Sequence, residues 1–334
     1  MSKSLGNTVA PEDIIKQYGA DILRLWVMSA DYTDDLRIGP EILKSVVDAY
    51  RKIRNTVRWL LGNLAHFEEK LRLDAAEMPE LDRLMLHELA SLDLIVRKAY
   101  ADYDYKRIYQ ALSTFCINDL SAFYFDIRKD ALYCDAADSV RRRAALTVLD
   151  DVFRCLTTWL APMLPFTMEE AWLSRYPGSE GSVHLQQFPD VPSPWRDTEL
   201  AERWERVRRV RRVITGALEL ERHDKRIGSS LEAAPEVYVS DAKLLAALDG
   251  LDLAEIAITS ALVLKDGAAP SGAFSLAEVP GVAVVPRRAE GRKCLRSWRI
   301  VPDVGSDPDY PDLSARDAAV MSQRDRDAAA AGGA

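Results

Sequence analysis

The sequence predicts a mainly α protein, in which an antiparallel helical bundle is followed by a small C-terminal α+β module. Over the first two-thirds of the chain, apolar residues recur at i, i+3 and i+4, the spacing of amphipathic helices. Short connections join these stretches, which favours antiparallel packing of neighbouring helices. After Ile227 the pattern changes to short β-branched runs, such as 237–239, that are typical of strands.

Proline and glycine divide the helical part into its elements. Pro11 begins a first helix whose early acids suit the positive end of the helix dipole, and this helix is expected to end near Gly19. A second helix covers about 20–29, and Gly39 with Pro40 opens a long third one. Further helical patterns follow at about 80–103, 105–133, 137–160 and after Pro165.

The composition changes again toward the C-terminus. Prolines and glycines cluster over 176–195 and predict a break that crosses the bundle surface. A basic helix is expected over about 197–221, and a helix near 241–248 is expected between the first two strands. The last residues, 328–334, are of low complexity, so we expect them to be disordered. The predicted strands are 237–239, 261–264 and 282–285.

Composition and charge exclude several classes of protein. The chain has 334 residues, of which 48% are hydrophobic and 29% are charged, as is ordinary for a soluble globular protein. Its net charge of −8 excludes a uniformly basic nucleic-acid binder, although 203–212 is locally basic. No apolar run is long enough to cross a membrane and no signal peptide follows Met1, so we expect a cytoplasmic protein. The four cysteines and four histidines are scattered and predict neither a disulfide framework nor a metal site.

The chain opens with Met1-Ser2-Lys3-Ser4-Leu5-Gly6-Asn7, a lysine among small and polar residues. A lysine supplies a point charge, and small neighbours let backbone N–H groups approach an anion, so the pattern suits a phosphate. A solvated N-terminus is the competing interpretation of so short a motif.

Blocks in order along nearly the whole chain resemble the bacterial isoleucyl-tRNA synthetases, which are class I aminoacyl-tRNA synthetases. Residues 1–4 are similar to the end of the Lys-Met-Ser-Lys-Ser signature of that class. The other blocks are Tyr18–Trp26, Asp31–Gly39, Phe115–Tyr124, Leu160–Trp172 and Arg226–Ala233. The resemblance identifies the chain as the C-terminal part of such an enzyme, beginning inside the signature loop.

The resemblance implies that Lys3 is catalytic and that Ser2, Lys3 and Ser4 contact ATP. A mobile cation that reaches the phosphates late in adenylate formation stabilises the transition state more than the ground state. ATP with magnesium, isoleucine and tRNA-Ile are then substrates of the full enzyme. The Rossmann-type core with its His-Ile-Gly-His-like signature is absent from this sequence, so we expect the isolated chain neither to activate isoleucine nor to edit.

The resemblance also implies a division of the chain. Residues 1–39 would form the signature loop and stem-contact helices, and 40–195 a helical bundle of the anticodon-binding type. Residues 196–307 would add the basic helix and an α+β junction module, and 308–334 a degenerate zinc-knuckle tail. We expect a monomer that holds tRNA-Ile.

Two groups of side chains are candidates for contact with tRNA. The first group consists of four arginines in the predicted basic helix. Two interpretations of these arginines remain equally weighted: they contact the phosphates of tRNA, or they lie on a solvated helix face and pair with glutamates. For Trp59 and Trp172, core packing is favoured over base stacking. The arginines are Arg208, Arg209, Arg211 and Arg212, and the other aromatic candidates are Tyr100, Tyr103 and Tyr105.

Zinc is not expected, although many relatives in the resembled family end in a knuckle with two Cys-x-x-Cys pairs. Cys294 remains from the first pair, Ser297 stands in the place of its second cysteine, and no later cysteine follows. A tetrahedral zinc site needs four nitrogen or sulfur ligands. We expect the module to keep its shape by packing around Trp298.

Three functional classes remain open from the sequence. The first is part of an isoleucyl-tRNA synthetase, the second a free-standing, non-catalytic tRNA-binding module, and the third a helical protein-interaction scaffold. The Lys3 loop favours the first over the second, because a protein that only binds RNA has no use for it. The ordered blocks disfavour the third.

Overall fold

The computed structural model describes residues 9–65, 67–177 and 181–332. The predicted loop at Ser2, Lys3 and Ser4 lies outside these residues. Contacts divide the chain into two compact units. The first contains the residues up to Phe125 and Arg143–Arg196, and the second contains Asp126–Arg142 and the chain from Asp197 onward.

The predicted mainly α fold is confirmed. In chain order the helices are α1 Pro11–Tyr18, α2 Ala20–Ser29, α3 Pro40–Leu64, α4 Glu80–Ala101, α5 Tyr105–Thr114, α6 Phe125–Cys134, α7 Val140–Leu160, α8 Pro165–Arg175, α9 Thr198–His223, α10 Ala242–Ala247, α11 Leu253–Ala257 and α12 Ala315–Gly332. No helix among the described residues combines the length and apolar character needed to cross a bilayer.

The helices of the first unit start and stop where the local chemistry directs. Pro40 and Pro165 occupy the first turns of α3 and α8, where their missing N–H groups cost nothing. Gly19 separates α1 from α2 with φ of 90°, a left-handed conformation that favours glycine. Almost all of α7 from Ala144 onward is buried, which makes it the central helix of this unit.

A charged residue of α2 caps α8 from far away in the sequence. The carboxylate of Asp21 accepts hydrogen bonds from the backbone N–H of Thr167, at 2.8 Å, and from its hydroxyl, at 2.5 Å. Arg24, one turn later, donates to the carbonyl of Pro162 at 2.6 Å. The positive end of α8 thus meets a buried negative charge, which fixes α2 against it.

The helix predicted over 105–133 is interrupted. Phe115–Tyr124 forms a π-helical segment between α5 and α6, a conformation that is rare and frequently found at functional sites. Its phenol at Tyr124 donates to the buried carboxylate of Asp82 at 2.6 Å. On its α3 side, the hydroxyl of Thr56 lies 3.2 Å from that of Ser121.

The second unit contains a four-stranded sheet in the order β2-β1-β4-β3. Its strands are β1 Glu236–Val239, β2 Val263–Asp266, β3 Phe274–Ser275 and β4 Val282–Val285. β1 and β2 are parallel and are joined through α10 and α11, whereas β4 runs antiparallel to β1 and β3. The helix α9 packs close to this sheet, because a Cβ at Gly216 would come within 3.2 Å of the Phe274 ring.

The structure differs from the sequence predictions in three places. A two-stranded hairpin of β5 Arg292–Lys293 and β6 Ile300–Val301 was not expected from the sequence. Helix α12 continues through Ala328 to Gly332, where disorder was expected. Alanine is the strongest helix former, so low complexity here does not prevent helix formation. Segment 126–142, expected in the bundle, groups with the second unit.

Candidate nucleic-acid interface

Helix α9 is less basic on its surface than its sequence suggests. Arg203 donates from Nε to the carbonyl of Ala247, at 3.0 Å, and also bonds the carbonyl of Asp249. Arg211 donates from Nε to the carbonyl of Ile256 at 2.8 Å, and burial lowers its pKa. These carbonyls lie at or just beyond the C-terminal ends of α10 and α11, where helices leave acceptors unsatisfied.

The remaining candidates on α9 stand in a mixed environment. Arg212 is exposed, while Arg208 and Arg209 are half-buried. The same helix also exposes four acids, which reduce the local potential: Glu199, Glu202, Glu205 and Glu219. Arg211 fits neither of the two predicted roles, phosphate contact or a solvated position paired with glutamates, because its guanidinium caps the end of α11. A role in tRNA binding stays a prediction for this group, with Arg212 the best exposed of the four.

Helix α3 presents a more strongly basic face. Five cations between residues 44 and 58 are exposed: Lys44, Arg51, Lys52, Arg54 and Arg58. Asp48 is the only acid in that interval, and it lies 3.5 Å from Arg51. We call these five residues the α3 basic face. Among the described residues no carboxylate pairs with Lys44, Arg54 or Arg58, so their charge is available to a polyanion.

Sequence reasoning missed the α3 basic face, although the sequence carried a signal for it. Leu43, Val46, Ile53, Val57 and Leu60 set the buried stripe of this helix. Every cation between 44 and 58 falls outside that stripe. A helical projection of α3 would therefore have shown the face.

The aromatic candidates separate into buried and exposed groups. Trp172 is buried, which confirms core packing for it, and the half-buried Trp59 stacks its ring on the buried Phe125 at 3.9 Å. Tyr100 donates its phenol to the carbonyl of Trp159 at 2.6 Å, and burial raises its pKa. Tyr103 is 65% exposed in the turn between α4 and α5, and its ring meets that of Tyr105 edge-on at 6.3 Å, so an accessible part of the ring can still stack on a base.

Trp298 does not form the packing centre expected for the C-terminal module. Its side chain is 63% exposed, and its backbone has φ of 61°, an uncommon conformation for a bulky residue. The ammonium of Lys293 lies 5.4 Å from the centre of its ring. The prediction was wrong because a tryptophan beside a turn can be directed outward by the turn itself.

Comparison with protein families matches two segments of the chain. Residues 82–238 match the anticodon-binding domain of tRNA ligase, and residues 1–39 match the class I tRNA synthetases (I, L, M and V). The first match begins in α4 and ends in β1, so it includes the π-helical segment and α9. The α3 basic face lies between the two matched segments.

Relatives of known activity match the chain along most of its length. The isoleucine–tRNA ligase of Brucella abortus biovar 1 (strain 9-941) is 62% identical over 323 residues, which is 97% of this chain and 33% of the relative. That of Bartonella henselae is 59% identical over the same share of both chains. The chain thus spans 33% of the length of these relatives. The LeuRS chain of a ternary complex from Agrobacterium radiobacter K84, with tRNA and LeuAMS, is 16% identical, and the match covers 59% of this chain and 23% of that chain with a TM-score of 0.45.

Proposed function

Because the chain belongs to the class I tRNA synthetase family and aligns with isoleucine–tRNA ligases over 97% of its length, we propose that it acts as the C-terminal, tRNA-binding part of such a ligase. Its helical unit would hold the anticodon stem-loop of tRNA-Ile. The complete ligase would attach isoleucine to that tRNA with consumption of ATP.

The α3 basic face is the observation that carries the tRNA-binding proposal. From Lys44 to Arg58 it extends about 21 Å along the helix, long enough to meet several successive phosphates. Phosphate contacts supply most of the sequence-independent affinity for nucleic acid. Because the protein has a net charge of −8, the protein as a whole repels tRNA, and a local concentration of cations also orients the approaching tRNA toward the α3 basic face.

Lys3 has a separate role in the proposal. In the complete ligase it would stabilise the charge that develops on the phosphates of ATP during adenylate formation, with Ser2 and Ser4 beside it. The match of residues 1–39 to the class I synthetases supports this role and favours part of an enzyme over a free-standing, non-catalytic tRNA-binding module. We propose that the protein acts in the cytoplasm as a monomer, and that magnesium enters only with ATP.

Equilibrium binding of tRNA-Ile to the full 334-residue chain tests the proposal. A tRNA-Ile transcript with a replaced anticodon loop serves as the matched control. Fluorescence anisotropy at several salt concentrations should show tighter binding of the tRNA-Ile that keeps its own anticodon loop. The affinity should fall steeply as the salt concentration rises. Equal affinity for both transcripts would remove the anticodon loop from the interface.

A second measurement addresses the catalytic part. Isoleucine-dependent exchange of pyrophosphate into ATP should be absent for the 334-residue chain and present for a complete ligase that contains it. In the complete ligase, replacement of Lys3 by alanine should reduce the exchange rate while tRNA affinity is kept. An exchange rate that does not change on this replacement would contradict the role of Lys3.

A further inference from the structure

A polar cluster in the second unit, buried except for the half-buried Ser297, joins two pairs of residues with the same spacing. Cys294 and Ser297 lie in the turn between β5 and β6, and Ser314 and Asp317 lie at the start of α12. The Cys294 thiol and the hydroxyls of Ser297 and Ser314 lie 3.0, 2.6 and 3.0 Å from Oδ2 of Asp317. Three donors therefore converge on a single carboxylate oxygen.

The backbone strengthens the same cluster. The N–H of Ser314 points at the sulfur of Cys294 at 3.4 Å, and the N–H of Asp317 donates to the Ser314 hydroxyl at 3.3 Å. Ser314 thus caps the first turn of α12, whose third residue is the carboxylate of the cluster. Asp317 has no exposed surface, and its other oxygen lies 3.2 Å from a guanidinium nitrogen of Arg316.

The four residues occupy the arrangement of two Cys-x-x-Cys pairs, but they do not fit zinc. Structural zinc sites are closed by four nitrogen or thiolate ligands. This set offers one thiol, two hydroxyls and one carboxylate, and the thiol and hydroxyls are donors to that carboxylate. Among the described residues there is no group of three His, Cys, Asp or Glu side chains that could hold a metal ion.

We propose that the Asp317 carboxylate takes the place of a metal ion at the centre of this knuckle. As a buried anion it accepts hydrogen bonds from Cys294, Ser297 and Ser314, and so links the β5–β6 turn to α12. Hydrogen bonds to an ionised acceptor are short and stronger than neutral ones, so three of them can hold two segments together. The second unit therefore keeps this junction without zinc.

The ionisation of Asp317 agrees with this arrangement. Burial raises the pKa of its carboxyl group, but the donors Ser297, Cys294 and Ser314 and the charge of Arg316 lower it further than burial raises it. The net pKa lies below the ordinary value of an aspartate, and the group is an anion at neutral pH.

Substitution of the full chain separates a hydrogen-bonded cluster from a metal site. Asp317→Asn should lower the Tm by about 5 °C or more. The amide removes the negative charge, and its NH2 group can face the donors Cys294, Ser297 and Ser314 without forming hydrogen bonds to them as an acceptor. Asp312→Asn is the matched control, since Asp312 is an exposed aspartate of the same module. Equal Tm values for the two variants would overturn the proposal.

Cys294 distinguishes the two kinds of site directly. A serine donates a hydrogen bond as a thiol does but is not a zinc ligand, so Cys294→Ser should keep the wild-type Tm while Cys294→Ala lowers it. Wild-type protein should have the same Tm with and without EDTA, and should show no thiolate absorption band on addition of Co²⁺. Stoichiometric zinc in the purified protein, or a Co²⁺ band that Cys294→Ser removes, would overturn the proposal.

A gain of metal binding provides an independent test of the geometry. The triple substitution Ser297→Cys, Ser314→Cys and Asp317→Cys should create a site of four thiols that binds about one Zn²⁺ per chain. Its Tm should then fall on addition of EDTA, unlike that of the wild type. A triple variant that folds but takes up no zinc would show that the four side chains do not converge as described.

Discussion

Helices α3 and α9 both carry many cations, but they use them differently. On α3 the cations face solvent with one acid among them, whereas on α9 Arg203 and Arg211 reach the ends of neighbouring short helices. Arginine suits the second use because its guanidinium offers several donors in a fixed geometry and stays charged when partly buried. Basic character in a sequence is therefore not the same quantity as positive charge on a surface.

The largest expected effect comes from reversing the α3 basic face. Replacement of Lys44, Arg51, Arg54 and Arg58 by glutamate should weaken binding of tRNA-Ile by about 100-fold or more. Each lost phosphate contact reduces the number of counterions that binding releases from the tRNA, and this release drives association. Anisotropy titrations over a series of salt concentrations should show a flatter salt dependence.

The control for that reversal uses cations of the second unit. Arg222 and Arg226 are exposed, but they lie 2.6 and 2.7 Å from Glu219 and Glu221. Their charges are already compensated, so Arg222→Glu with Arg226→Glu should change the tRNA affinity by no more than about threefold. Equal losses for the two sets would show that overall charge, and not the α3 basic face, controls binding.

A half-buried carboxylate in the first unit, that of Asp151, extends the comparison to charges that are partly shielded from solvent. Burial raises the pKa of Asp151 to about 6, although Arg72 lies 3.0 Å away and opposes the shift. The folded state therefore favours the protonated carboxyl group of Asp151. This preference contributes fully to the free energy of unfolding below about pH 4, and the contribution is lost as the pH rises through 6.

Asp151→Asn should therefore raise the free energy of unfolding at pH 8 by about 1–3 kcal/mol, with the gain disappearing near pH 4. Urea unfolding of both proteins at pH 4, 6 and 8 measures the difference. A variant that is less stable than the wild type at pH 8 would show that attraction to Arg72 outweighs the cost of burial.

On α9, removal of a capping arginine should affect stability and not RNA binding. Arg211→Met retains much of the aliphatic stem but leaves the carbonyl of Ile256 without that donor, so it should lower the free energy of unfolding by about 1–2 kcal/mol. The tRNA affinity should stay constant. Arg212→Met, at an exposed position, is the stability control and should stay within about 0.5 kcal/mol of wild type.

The smallest expected effect concerns Arg212 itself. Because Glu205 and Glu219 are exposed on the same helix, Arg212→Glu should weaken tRNA binding by only about threefold. An effect as large as that of the α3 reversal would make α9 the principal interface, as the sequence alone allowed.

Much of the helical part could be predicted because its signals are local. Apolar spacing defines α3, and Pro11, Gly19 and Pro165 mark the ends of helices that the structure contains. The π-helical segment could not be predicted, since its apolar pattern suits an ordinary helix as well. Residues 328–332 are helical for a reason that the low-complexity argument left out, the helix propensity of alanine.

The candidate site was harder to predict because its partners are distant in sequence. Arg211 and the carbonyl of Ile256 are separated by 45 residues, and a single sequence gives no sign that they meet. Ser314 and Asp317 escaped notice for another reason, since a search for cysteines does not find a cluster built from other donors. Trp298 was misassigned because residue type alone does not determine the direction of a side chain in a turn.

The cap that Asp21 provides to α8 also constrains the order in which the first unit assembles. The two residues it joins are 146 positions apart, so a ribosome releases α2 long before α8 exists. Until then Asp21 has no helix end to cap, and the residue that precedes α8, Leu164, offers no side-chain cap of its own. Contacts of such high sequence separation carry a large loop-closure cost. We therefore expect docking of α2 onto α8 to be a late step in folding, one that a chain stopped before Pro165 could not take.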